Sequence, residues 1–205
     1  MAFFSPSEAG FEPKRKFRFL VEFGSFSGGT SIMATKCGKP GYELSAVTEH
    51  RVLNHIFKFP GVVKWNDIDV SFIDSMQPNM ATKFWNSLQN SGFSPPKTAS
   101  DLVHGITKVG SHFALGSVVI MQLNGGGATP GSAMGVGDQL PVTPDPTSIS
   151  ERWTLKNAFI KSVKFGDLDY SSDDLVNIDI GIAYDYAILE SFTIGQENVL
   201  DLGAE

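Results

Sequence analysis

The sequence has very little cysteine, and it has no long apolar run. Cys37 is the one cysteine among 205 residues, so an internal disulfide is excluded and no second thiol can share a metal ion. No apolar run approaches the roughly 20 residues that a membrane-spanning helix needs. The first residues also lack the basic start of a signal peptide. We therefore expect a protein that is made and kept in the cytoplasm.

Basic residues are also scarce. The chain has 16 Lys and Arg against 22 Asp and Glu, which gives a formal net charge of −6. Proteins that grip nucleic acids do so through clustered Lys and Arg side chains that contact phosphates. The negative net charge therefore argues against a protein that holds nucleic acid. A passive relation to DNA, without tight binding, is still compatible with this charge.

Motifs that carry chemistry are incomplete wherever they begin. The segment Gly24–Gly28 has Phe26 where a nucleophile elbow needs its serine. The acidic run that starts at Asp167 has Ser172 instead of Gly at the sixth position of a calcium loop, and Ile178 instead of Glu at the twelfth. The four histidines have no zinc spacing. We expect no catalytic, cofactor or metal site, and hence a protein that is not an enzyme.

The sequence is rich in phenylalanine and in alternating patterns. There are 16 Phe residues, and Phe17, Phe19, Val21 and Phe23 alternate strictly, which predicts a first strand. Further strands or hairpins are predicted over residues 31–37, 42–59, 63–74, 112–123, 153–165 and 175–189. One helix is predicted over 79–90. This pattern predicts a mainly β fold, a sandwich or barrel of about eight strands with one packed helix.

The chain divides into one β domain and two flanking segments. Residues 1–13 form a predicted flexible N-terminal arm, residues 14–190 the β domain, and residues 191–205 a C-terminal tail. A Gly- and Pro-rich insertion is predicted within the domain at 124–149. We expect Val52–Phe59 and Val63–Phe72 to pair, with their apolar face in the core and their turn or edge against a neighbouring subunit.

The order of these elements resembles the tail tube proteins of contractile-tailed bacteriophages. The resemblance begins with FRFLVEF in the first strand and continues through Ala34–Gly41 and the turn Phe59-Pro60-Gly61. A helix that carries Phe84-Trp85 follows. The most specific part is the C-terminal pair Trp153–Leu189, in which Gly-Asp-Leu-Asp-Tyr precedes a strand that ends in Tyr-Asp-Tyr.

The resemblance implies a β-barrel-like subunit that forms six-membered rings. Such rings stack into a hollow tube inside a contractile sheath, and double-stranded DNA passes through the tube during ejection. The implied partners are other copies of the chain, the tail sheath protein, and baseplate and neck proteins of the tail, with no membrane. The implied location is the virion tail, after assembly in the host cytoplasm. Related subunits build the needle of bacterial secretion systems.

Two sets of residues are candidates for assembly roles. Long hairpins and turns are natural contacts between rings, so we expect a subunit interface at Lys39, Pro40, Gly41, Tyr42, His50 and Arg51. A DNA channel must not hold its cargo, because like charge repels phosphate. The small and acidic face of the last strand, at Asp179, Gly181, Ala183 and Asp185, is therefore a candidate for the lumen, with plain outer surface as the alternative.

Three alternatives remain from the sequence alone. The chain is compatible with a specialised relative that starts the tube at the baseplate or ends it near the head, a role that the insertion at 124–149 would suit. It is also compatible with a secretion-needle subunit. A monomeric hydrolase or carbohydrate-binding sandwich is the third alternative, and it predicts a stable monomer with a ligand cleft.

Overall fold

Antiparallel pairing organises the described part of the chain into two four-stranded sheets and two two-stranded ribbons. The structure is a computed structural model that describes residues 14–25, 34–45, 48–77, 79–97, 101–103, 105–123, 149–171 and 173–192. The predicted arm 1–13, most of the predicted insertion 124–149 and most of the predicted tail 191–205 lie outside the described residues. The predicted mainly β fold is confirmed.

The elements follow one another in chain order. The strands are β1 (Phe19–Phe23), β2 (Ala34–Cys37), β3 (Gly41–Ser45), β4 (Thr48–Val52), β5 (His55–Phe59), β6 (Val62–Asn66), β7 (Ile68–Ile73), β8 (Val118–Leu123), β9 (Ile149–Lys156), β10 (Phe159–Lys164), β11 (Asn177–Ala183) and β12 (Tyr186–Ser191). The helices are α1 (Met80–Asn90) and α2 (Lys108–Leu115), with a 3-10 turn at Asp101–Val103.

The two large sheets share one core. Sheet A has the order β1-β8-β9-β12 and sheet B the order β10-β11-β7-β2. Period-two alternation puts Val70 and Phe72 of β7 beside Ile180 and Ile178 of β11, and all four side chains are buried. Phe23 of sheet A meets Phe72 of sheet B, with ring centroids 5.7 Å apart. The core therefore lies between the inner faces of the two sheets.

Helix α1 covers the core beside Phe72. Asn79 caps the helix because its side chain accepts a hydrogen bond of 2.7 Å from the Thr82 backbone amide. The apolar face buries Met80 and Phe84, and the Phe84 ring lies 5.7 Å from that of Phe72. The predicted helix over 79–90 is thus present, and its predicted cap is confirmed.

A second helix replaces part of a predicted strand. Residues 112–123 were expected to form one strand, but α2 occupies the first part of this segment and β8 the second. The Thr107 hydroxyl caps α2 by accepting from the Gly110 amide at 3.0 Å. Gly116, with φ of 73°, ends it in a conformation that favours glycine. These two local signals override the apolar alternation, so the expectation of one helix is wrong.

Two predicted strands bend and cross from one sheet to the other. The segment 153–165 divides into β9 in sheet A and β10 in sheet B, and the segment 175–189 divides into β11 and β12. The bends lie at Asn157, whose φ is 55°, and at Tyr184 and Asp185. We call these two bends the corners. Each corner divides one predicted strand into two, which partly explains why the structure has more strands than predicted.

Candidate assembly surface

The four strands β3 to β6 form one long hairpin. Gly41 lies opposite Asn66 at its base and Val52 opposite His55 near its tip, and the pairing register is the same on both sides of residues 46 and 47, which are not described. We call residues 41–66 the hairpin arm. The expected pairing of Val52–Phe59 with Val63–Phe72 is wrong, because β5 pairs with β4, and β6 pairs with β3.

One face of the hairpin arm is apolar and uncovered. Directly paired residues share a face, and successive residues alternate between faces. The resulting apolar face carries six large side chains that are each between 47% and 63% exposed: Tyr42, Leu44, Val52, Phe57, Phe59 and Val63. The opposite face is mostly charged, with Glu43, Glu49, Arg51, Lys58 and Lys64, and also carries exposed Ile56 and Val62. This face also carries Thr48, His50 and His55, and exposed large apolar side chains in this number are typical of an interaction surface.

Aromatic rings attach the hairpin arm to the core. The ring of Trp65 lies 5.6 Å from that of Tyr42 on the same face of the arm, and 6.0 Å from that of Tyr184. Tyr184 belongs to the buried core, and its burial raises the pKa of its hydroxyl. The base of the hairpin arm is therefore attached to the core through Trp65. The apolar side chains further along the arm are exposed.

Three of the predicted interface residues lie on the hairpin arm beyond its first residue, Gly41. Tyr42 and His50 share the apolar face, since Tyr42 pairs with Trp65 and His50 with Phe57. Arg51 lies on the charged face, and its Nε donates to the carbonyl of Leu53 at 3.1 Å. The structure thus brings two of the three onto one surface.

The other predicted interface residues lie before or at the base of the arm. Pro40 is buried and Gly41 is half-buried. The Lys39 ammonium donates to Glu151 of sheet A at 2.7 Å, and Lys14 donates to the other carboxylate oxygen. Partial burial opposes ionisation of Glu151, but the hydrogen bonds from Lys14 and Lys39 outweigh it, so the Glu151 pKa lies below its usual value.

The predicted lumen residues Asp179 and Gly181 lie on the outer face of sheet B. Asp179 accepts a hydrogen bond from the Ser71 hydroxyl on the neighbouring strand. Gly181 is buried, and an added Cβ would meet the Ser162 hydroxyl at 2.6 Å. Asp69, which is directly paired with Gly181, lies on the same outer face. This face is accordingly polar, with small side chains.

The other two predicted lumen residues lie at the end of β11 and beyond it. Ala183 is the half-buried last residue of β11. Asp185 is in a corner, where both of its carboxylate oxygens accept from the Lys108 ammonium at 2.7 Å and one accepts from the Asn157 amide at 2.8 Å. These hydrogen bonds, first from Lys108 and then from Asn157, lower the Asp185 pKa.

Both large sheets have unpaired edges. In the part of the chain that the structure describes, β1 and β12 each pair on one side only in sheet A, as do β10 and β2 in sheet B. Unpaired edges offer main-chain donors and acceptors to another chain, and isolated proteins usually cover them. They are a second feature suited to assembly.

The sequence interpretation missed the uncovered apolar side chains Leu44, Phe57, Phe59 and Val63. The expectation that the apolar face of Val52–Phe59 lies in the core is wrong, because Phe57 and Phe59 are 53% and 55% exposed. Alternation gave no sign that the face is uncovered, because a core face and a docking face have the same pattern.

Within the described residues, no group of three or more His, Cys, Asp or Glu side chains is placed to hold a metal ion. Also within those residues, no helix has the length and apolar character to cross a membrane.

Sequence comparisons give no relatives, whereas structural comparisons do. No protein-family model matches the chain, and no curated protein matches it. A chain of the PVC sheath-tube complex of an extracellular contractile injection system in its extended state is similar, with a TM-score of 0.56 at 18% identity, over 92% of this chain and 99% of that one.

Two further structures give similar values. A chain of the PVC sheath/tube terminator in the extended state has a TM-score of 0.56 at 17% identity, over 89% of this chain and 100% of that one. A chain of the tube-terminating cap of the anti-feeding prophage has a TM-score of 0.55 at 16% identity, over 94% of this chain and 100% of that one. The predicted tail-tube-like fold is thus confirmed.

Proposed function

We propose that this chain is a structural subunit of the inner tube of a contractile tail or injection machine, and that its copies form stacked six-membered rings. The observation that carries the proposal is the uncovered apolar face of the hairpin arm, on a chain with a tail-tube-like fold. A monomer would leave this face in water, whereas a stack of rings buries it against a neighbour.

The sheet edges support closure within a ring. A contact between different surfaces of two copies generates a ring if its rotation closes. Edge strands such as β1 and β12 supply such contacts by main-chain pairing. The hairpin arm then serves contacts between rings, which need a separate surface on the same subunit.

We propose that the outer face of sheet B lines the channel. The outer surface that is used neither by the channel nor by contacts between copies then faces a sheath. The acidic Asp69 and Asp179 and the small Gly181 favour a channel that does not retain DNA, because carboxylates repel phosphates. This proposal predicts that tubes of Asp179→Lys subunits sediment with duplex DNA. Tubes with Glu49→Lys, on the hairpin arm, are the matched control and should not. Equal DNA retention by the two would place sheet B elsewhere.

Electron microscopy of the purified protein over a range of concentrations tests the tube itself. The expected result is hollow tubes of stacked rings with six-fold averages. Tyr42→Ser should raise the protein concentration needed for tube formation and leave a folded monomer below it, because Tyr42 is 63% exposed and lies on the apolar face. Lys64→Gln, on the charged face, should still form tubes. A wild-type protein that stays monomeric at every concentration, even with a sheath protein present, would refute the proposal.

A subunit at the end of the tube is the second candidate. It is favoured by the likeness to chains of a terminator and a cap, whose TM-scores equal that of the sheath-tube chain within 0.01. Single rings that never lengthen, and that block growth of tubes made by another subunit, would identify this role. Tubes of open-ended length would exclude it.

A further inference from the structure

Five basic side chains of this acidic protein line one cleft of about 560 Å³. They come from the segment before β1 and from the region of β2, and they are Lys14, Arg15, Lys16, Lys36 and Lys39. No acidic residue is among the described residues that line the cleft, although Glu151 contacts Lys14 and Lys39 beside it. We call this site the basic cleft. Its charge is opposite to the net charge of the chain.

The walls of the basic cleft are held in place by hydrogen bonds from Gln122 and to Glu151. Gln122 is buried, and its side-chain amide donates to the backbone carbonyls of Arg15 at 2.9 Å and Arg18 at 2.7 Å. Glu151 joins the N-terminal wall to the β2 wall by accepting from Lys14 and Lys39. The basic side chains are therefore presented by a fixed backbone.

The floor of the cleft is apolar. It consists of Phe19, Ile120, Met121 and Trp153 from three strands of sheet A. A ligand that fits both parts needs negative charges together with at least one apolar side chain. A bare anion would use only the walls.

One loop of the same chain has this combination. The connection between β10 and β11, residues 165–176, has four aspartates and no basic residue. It also exposes Leu168, Tyr170 and Leu175, which are between 67% and 111% exposed. We call it the acidic loop. Its elements differ from those of the basic cleft, so one subunit can use both surfaces at once with different neighbours.

We infer that the basic cleft of one subunit binds the acidic loop of a second copy, with Leu168 or Tyr170 on the apolar floor and the aspartates beside the basic walls. The inference rests on the proposed function, because it assigns a specific pair of contacts between subunits of the assembly. The contact is heterologous, since cleft and loop are different surfaces, and it therefore suits a ring or a stack. It weakens with salt, because most of these charges are exposed.

A peptide of residues 165–176 tests the contact without any tube. The probe is the fluorescein-labelled peptide, and the receptor is a Phe57→Ser/Phe59→Ser protein kept below its raised assembly concentration, where it is expected to be monomeric. We expect saturable binding at low salt that weakens at least tenfold in a receptor that also carries Lys16→Glu/Lys36→Glu. Binding should be unchanged with Lys64→Glu/Lys97→Glu, which alter the charge equally elsewhere. A peptide with all four aspartates changed to asparagine should bind at least tenfold more weakly.

Charge exchange tests the same contact in the assembly. Lys16→Glu/Lys36→Glu subunits and Asp167→Lys/Asp173→Lys subunits should each need at least tenfold more protein to assemble. A mixture of the two should assemble at a lower concentration than either variant alone, because the unchanged basic cleft of one subunit then meets the unchanged acidic loop of the other. If the peptide binds the basic cleft but the wild-type protein forms no tubes, the proposed function is refuted and this inference still stands.

Three results would overturn the inference. The first is equal binding of the peptide to the Lys16→Glu/Lys36→Glu receptor and to the control receptor. The second is tube formation by the Lys16→Glu/Lys36→Glu subunits at the wild-type concentration, which would leave the proposed function intact. The third is tighter binding of a duplex oligonucleotide than of the peptide to the cleft, which would make the site a nucleic-acid contact.

Discussion

Replacing Phe57 and Phe59 by serine should raise the protein concentration needed for tube assembly by about 30-fold. Both rings lie on the apolar face of the hairpin arm, where they are 53% and 55% exposed. Fully burying a phenylalanine contributes about 1.5–3 kcal/mol. About half of each ring stays exposed in the monomer, so assembly gains roughly 1 kcal/mol from each and about 2 kcal/mol from both. A tenfold change corresponds to about 1.4 kcal/mol, which gives the 30-fold figure.

The assay is ultracentrifugal pelleting of purified protein over a concentration series. The matched control is Glu49→Gln/Lys58→Gln, which removes an exposed ion pair of 3.3 Å from the charged face and keeps the net charge. Exposed ion pairs contribute about 0–1 kcal/mol, so the control should shift assembly only slightly. Circular dichroism should show that both variants keep the core. An unchanged assembly concentration for the serine variant would mean that the apolar face of the arm stays uncovered in the tube.

Three further predictions concern the subunit itself. Phe72→Asp or Ile180→Asp should prevent folding, because either places an unpaired charge in the core; a soluble variant with unchanged melting would contradict the assigned inner face. The lowered pKa of Glu151 adds stability that is present above the ordinary pKa of about 4.3 and is lost as the pH falls through the folded value. Urea unfolding should therefore separate wild type from Glu151→Gln at pH 7, and the difference should shrink at pH 3. Gly166→Ala should destabilise by more than about 1 kcal/mol, because φ is 76° and the new Cβ would lie 2.5 Å from a backbone oxygen. Gly105→Ala, with open space around the Cβ, should melt like wild type.

The sheets could be predicted from the sequence because alternation reports directly which side chains share a face. Val21 and Phe23, which alternation placed on one apolar face of the first strand, are buried, whereas Phe17 of the same pattern lies before β1 and is 75% exposed. The helix α1 was predictable for the same reason, since its period and its asparagine cap are both local signals.

The bends and the second helix could not be predicted from the same signals. A strand that turns a corner keeps its alternation on both sides of the bend, so β11 and β12 look continuous across Tyr184. Helix α2, Lys108–Leu115, has only eight residues, which is too short for the period to separate helix from strand. Only Thr107 and Gly116 indicated its ends.

The candidate site was only partly predictable, for a physical reason. Alternation in the hairpin arm identifies an apolar face, but whether another chain covers that face depends on the assembly. Tyr42 and His50 were selected because they lie near turns, and they do share the face. Lys39 was selected in the same way, yet it contacts Glu151 beside the basic cleft.

The two corners give the subunit a mechanical property. A force that pulls on sheet A passes into sheet B along covalent backbone at Asn157 and Asp185, in addition to the side-chain packing between the sheets. Lys108 braces one corner from α2. Sliding one layer over the other would require both bends to straighten, so a column built from such units should transmit a sudden axial thrust as a rigid rod.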